Sequence, residues 1–101
     1  MTDPRRRLLE LFKARAVAFG DFTLASGKKS SYYINSKKVL FHGEAIALLG
    51  DLLFEATHDL DITAIGGLEV GAIPMATAAV LRYQRAGKTL EGNPNKFVKG
   101  D

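Results

Sequence analysis

Leu8, Leu9, Phe12, Ala16 and Phe19 recur at steps of one, three and four residues. That spacing places them on one stripe of an α-helix. Thr2 or Asp3 stands where such a helix takes its N-cap, and Pro4 fills the first helical position, where a missing N–H costs nothing. Gly20 supplies the residue tolerant of positive φ that ends a helix. The pattern then changes to alternation at Asp21-Phe22-Thr23-Leu24, and Tyr32-Tyr33-Ile34 is rich in strand formers. Ser26-Gly27-Lys28-Lys29 lies between them as a turn signal, so the stretch predicts a β-hairpin.

A helical period returns over residues 43–58, with Ala45, Leu48, Leu49, Leu52 and Leu53 as its inner face. Asp59-Leu60-Asp61 marks the exit. Ile62-Thr63-Ala64-Ile65 is short, apolar and β-branched, which predicts a fully buried parallel strand. Gly66-Gly67-Leu68-Glu69-Val70-Gly71 is a glycine-flanked loop that feeds a third helix over residues 72–83, with Pro74 in its first turn. The alanine and aliphatic content of that helix predicts burial against a sheet or a partner chain. Asn93-Pro94-Asn95 is a turn, and Phe97-Val98 can begin a last strand. The expected fold class is α/β in a single domain over residues 1–101. A leading helix and hairpin (residues 1–40) precede a partial β-loop-α core (residues 41–101).

Composition narrows the function classes. A chain of 101 residues supports one small domain with a limited core. With 47% apolar and 25% charged residues it has a globular balance, not a disordered one. Absence of cysteine excludes disulfides and thiolate metal sites. The net charge of +3 is spread over short groups, Arg5-Arg6-Arg7, Lys28-Lys29, Lys37-Lys38 and Lys96 with Lys99. None makes the long basic block of a nucleic-acid tail, so nucleic acid is a disfavoured partner. The N-terminal arginines lack a following apolar region, and no apolar run approaches the ~18 residues that cross a bilayer. The expectation is a cytoplasmic chain without membrane association.

Two units can carry chemistry. The hairpin puts Ser26, Gly27, Lys28, Lys29, Tyr32 and Tyr33 within eight residues. Ammonium groups, turn N–H groups and a phenol ring suit a small anionic heterocycle. A solvated hairpin with tyrosines packed inward explains the same residues without a ligand. The loop Gly66, Gly67, Leu68, Glu69, Val70 and Gly71 lies between a strand and a helix start, where anions bind. It matches neither GxGxxG nor GxxxxGK[ST], and tight turning with helix–strand packing explains its glycines equally well. His42 and His58 are 16 residues apart without carboxylate or cysteine at ligand spacing, which argues against a metal centre. No catalytic triad or acid/base carboxylate pair is legible.

Taken together, the stretch Phe22-Thr23-Leu24-Ala25-Ser26-Gly27-Lys28-Lys29-Ser30-Ser31-Tyr32-Tyr33-Ile34-Asn35-Ser36-Lys37-Lys38 and the stretch Ala64-Ile65-Gly66-Gly67-Leu68-Glu69-Val70-Gly71-Ala72-Ile73-Pro74-Met75-Ala76 resemble two motifs of the orotate phosphoribosyltransferases, in the same order and spacing. The resemblance is to the N-terminal part of that family. It implies a truncated type I phosphoribosyltransferase-like fold with a hood hairpin. The implied reaction joins orotate to phosphoribosyl diphosphate with Mg²⁺, giving orotidine monophosphate and diphosphate in pyrimidine biosynthesis. By the same resemblance, the hairpin residues cover orotate, the loop 66–71 lines the diphosphate side through its backbone, and Lys96 and Lys99 echo a basic loop.

Ala25 and Val70 stand where many members carry lysine. The acidic pair and Thr/Gly-rich loop that anchor the donor have no counterpart in these residues. Orotate binding is therefore the stronger expectation and donor binding the weaker, with little or no transfer by these residues alone. The apolar third helix, Ile73 to Leu81, and the unpaired edge of the strand over residues 62–65 invite self-association, so a homodimer or other homo-oligomer is expected. A non-catalytic, self-associating or partner-binding module built on the same fold is the alternative.

Overall fold

The computed structural model describes residues 3–92 and 98–99. Helix α1 spans Pro4–Arg15, with Asp3 as N-cap accepting a hydrogen bond from the Arg5 N–H. Strands β1 (Val17–Thr23) and β2 (Lys29–Ile34) form an antiparallel hairpin. A four-residue helix α2 (Lys37–Leu40) leads into α3 (Gly43–Thr57). Short strands β3 (Ala64–Ile65) and β4 (Leu68–Glu69) precede α4 (Ala72–Arg85). Strands β5 (Glu91–Gly92) and β6 (Val98–Lys99) pair in parallel with β3 and β4 respectively. The class is α/β, as the periodicity predicts.

Helix α1 is shorter than its stripe suggests. Ala16 caps it and the chain enters β1 at Val17, so Phe19 lies in a strand and is 82% exposed. The reason is non-local. Val17, Ala18 and Phe19 pair with Ile34, Tyr33 and Tyr32, and the Asn35 N–H reaches the Ala16 carbonyl at 2.9 Å. Those ladder bonds replace the ones a longer helix would make. Gly20 does not end α1; at φ 155° it sits where the register shifts between Phe19 and Phe22, as glycine does in a β-bulge. The inner stripe of α1 is Leu8 and Leu11 with Phe12, while Leu9 faces solvent.

Leu8, Leu11, Ala16, Val39 and Ala45 make one buried cluster, with Phe12, Leu48, Leu49 and Leu52 packed against it. Helix α3 thus presents to α1 the face its sequence predicts. Its other side meets α4 closely enough that a Cβ on Gly50 would stand 2.9 Å from the Ala78 carbonyl oxygen. Farther along, Tyr83 is 2% exposed and its ring meets Phe54 edge-on at 4.9 Å.

The expected buried strand over residues 62–65 is corrected. Only Ala64–Ile65 is extended, and Ala64 is exposed. Its sheet has two strands among the described residues, too few to cover both faces. Among the expected last-strand residues, Val98 lies in β6, while Phe97 lies outside the described residues. Among the described residues no helix is long and apolar enough to cross a membrane.

Candidate functional site

The hairpin turn is built from its own backbone. The Leu24 N–H donates to the Lys28 carbonyl and the Gly27 N–H to the Leu24 carbonyl, both at 2.8 Å. Gly27 adopts φ 84°, and nothing lies within 4 Å of where its Cβ would be. Glycine is therefore required there by conformation and not by room. Ser26, Lys28 and Lys29 are exposed around this turn. Neither lysine takes part in an ion pair among the described residues.

Tyr32 and Tyr33 are neighbours in β2, so they project to opposite faces of the hairpin. Tyr33 is 47% exposed, and its ring is supported by Phe22 at 5.8 Å with a 33° tilt. Tyr32 pairs in register with Phe19. Ser30 donates from Oγ to the Tyr32 carbonyl at 2.7 Å and accepts the Tyr32 N–H at 3.2 Å. This local bracket holds the strand where the bulge interrupts its ladder. One face of the hairpin therefore offers a braced aromatic ring, with two ammonium groups at the tip. The arrangement suits a planar anion, which takes stacking from the ring and charge-assisted hydrogen bonds from the lysines.

The second unit, loop 66–71, surrounds β4 and ends at Gly71, the N-cap of α4, which has no side-chain cap. A Cβ on Gly67 would stand 2.8 Å from the Ala72 Cβ, and one on Gly71 would stand 3.2 Å from Leu40 Cδ1. Both glycines thus serve close packing of the loop on the helix start and on α2. Leu68 and Val70 are exposed, and β4 runs parallel to β6 with Glu69 in register with Lys99. The first turn of α4 leaves N–H groups without side-chain partners, which favours negative charge nearby. Among the described residues, no hydrogen bond or ion pair joins this loop to the hairpin. Lys96 lies outside the described residues.

Both histidines serve helix ends. His42 caps α3, its Nδ1 accepting the Ala45 N–H at 3.3 Å. His58 sits at the other end of α3, with Nδ1 3.0 Å from the Glu55 carbonyl and its ring stacked on Phe54. Among the described residues no three His, Cys, Asp or Glu side chains converge.

One feature was not legible in the sequence. A groove of about 940 Å³ runs between α3 and α4, with Ala47, Gly50 and Ala78 along it and Phe41, Ile73 and Leu81 exposed at its sides. Gly50 in the middle of an apolar helix is the signal that could have pointed to it, since glycine there marks close helix approach. Arg82 bonds Asp51 at 2.9 Å and lies 4.1 Å over the Phe54 ring, which fixes the far end of this helix pair.

No protein-family model matches the chain. An orotate phosphoribosyltransferase of Corynebacterium glutamicum (strain R) is 50% identical over 76 residues, covering 75% of this chain and 41% of the relative. The crystal structure of the Mycobacterium tuberculosis H37Rv orotate phosphoribosyltransferase in complex with Fe(III) dicitrate matches with a TM-score of 0.75 and 36% identity, over 89% of this chain and 50% of that one. The same enzyme in complex with 5-phospho-alpha-D-ribosyl 1-diphosphate matches with a TM-score of 0.68 and 38% identity, over 77% of this chain and 46% of that one. The chain spans half or less of the length of these proteins. In sequence and in its α/β fold, it resembles that share of an orotate phosphoribosyltransferase, a type I phosphoribosyltransferase.

Proposed function

We propose that the chain supplies the orotate-side part of an orotate phosphoribosyltransferase site. The observation that carries this reading is the braced hairpin: a tyrosine face held by Phe22 beside two lysines free of ion pairs among the described residues. Orotate is a planar carboxylate with ring carbonyls. Tyr33 would stack on it, Lys28 and Lys29 would meet its anionic edge, and Ser26 and Gly27 would offer turn groups. Tyr32 would lie on the opposite face.

Residues 66–71 and the uncapped start of α4 would face the diphosphate, with Lys96 and Lys99 as cations for it. In this chemistry charge builds on the ribose and the leaving diphosphate, so positioning and fixed positive ends do most of the work. These 101 residues hold no acidic pair followed by a Thr/Gly-rich loop. The donor's ribose and 5′-phosphate would need groups beyond them, and among the described residues no cluster of three or more His, Cys, Asp or Glu stands ready for its Mg²⁺. A cytoplasmic location belongs to the same proposal. The test is an NMR titration of the chain with orotate, followed on backbone amides. Shifts centred on residues 24–34 support the reading; shifts elsewhere, or none, overturn it.

The groove favours a second reading alongside the first, self-association into a homodimer. Exposed Phe41, Ile73 and Leu81 at its sides are knobs, and the small Ala47 and Ala78 line the space between them, so one surface carries both halves of a self-complementary fit. Its sixteen lining residues approach the roughly 20–30 per side of a stable interface. Sedimentation equilibrium tests it: a dimer is expected, and a monomer at high concentration overturns it.

A further inference from the structure

No further inference is drawn: the strongest candidate, the apolar groove between α3 and α4, already serves the self-association proposed above, and nothing else on that face shows a different occupant.

Discussion

The Tyr83 hydroxyl lies 2.6 Å from Thr57 Oγ and joins the end of α3 to α4. Thr57 also bonds the Leu53 carbonyl at 2.7 Å, and a carbonyl only accepts. The threonine's one proton is therefore committed to Leu53, and Tyr83 is the donor in the pair. Tyr83 is buried, with its ring against Phe54, so a polar tip inside the helix pair is satisfied without water.

Tyr83→Phe should lower stability by about 1 kcal/mol, the usual net worth of one hydrogen bond, because Thr57 keeps its other partner. Tyr83→Ala should cost about 3–5 kcal/mol through the cavity it leaves. Urea denaturation of the two variants checks both the size and the order.

Gly50→Ala sets two effects against each other. Alanine raises helix propensity by about 1 kcal/mol over glycine in a helix interior. The new methyl would stand 2.9 Å from the Ala78 carbonyl oxygen, which is backbone and cannot turn aside. Overpacking of this kind costs about 1–3 kcal/mol, so a net loss is expected. A higher melting temperature would show that α3 and α4 approach less closely than described.

Arg7 and Glu44 form a two-point ion pair between α1 and α3, at 2.6 and 2.8 Å. The Arg7 hydrogen bonds hold the Glu44 carboxyl below its ordinary range, and Glu44 in turn raises Arg7. A carboxyl depressed in the folded state adds stability above its unfolded pKa and loses it as pH falls through the folded value. The pair is solvent-exposed, so the effect is small and weakened by salt. The stability gap between the native chain and Glu44→Gln should therefore be present at neutral pH and close on acidification below the usual carboxylate range. A gap that persists at acid pH would show that the pair is not its source.

Leu81→Glu places a charge on an exposed side of the groove, where Leu81 is 61% exposed. It should shift a dimer toward monomer while leaving the fold intact by circular dichroism. An unchanged sedimentation profile would remove the groove from the interface.

What the sequence told depended on range. The start of α1 was legible because the cap and Pro4 act within one turn, and of the two candidates Thr2 and Asp3 it is Asp3 that caps. The end of α1 was not, because Phe19 fits the helical stripe while its partner Tyr32 lies across the hairpin. The inner face of α3 was legible from its period, but the approach of Gly50 to Ala78 depends on a helix that follows much later. Residues 62–65 read as buried because their composition suits it, and burial fails because among the described residues one two-residue strand pairs with β3. At the site, residue type singled out Lys28, Lys29 and Tyr33 as suited to a planar anion, and the family resemblance set them over orotate. The Phe22 ring that braces Tyr33 reaches it across the hairpin, although the register sets Phe22 opposite Ser30. The packing reading of Gly67 gained most from the structure, since Ala72 leaves no room for a side chain.

The most direct measurement is isothermal titration of the purified chain with orotate, repeated with Tyr33→Ala and Lys29→Ala. The account predicts saturable binding that weakens by tenfold or more in Tyr33→Ala, in line with stacking worth about 1–3 kcal/mol. A smaller, salt-sensitive loss is expected in Lys29→Ala. Binding indifferent to both substitutions, or no binding at millimolar orotate, would contradict the placement of orotate on the hairpin.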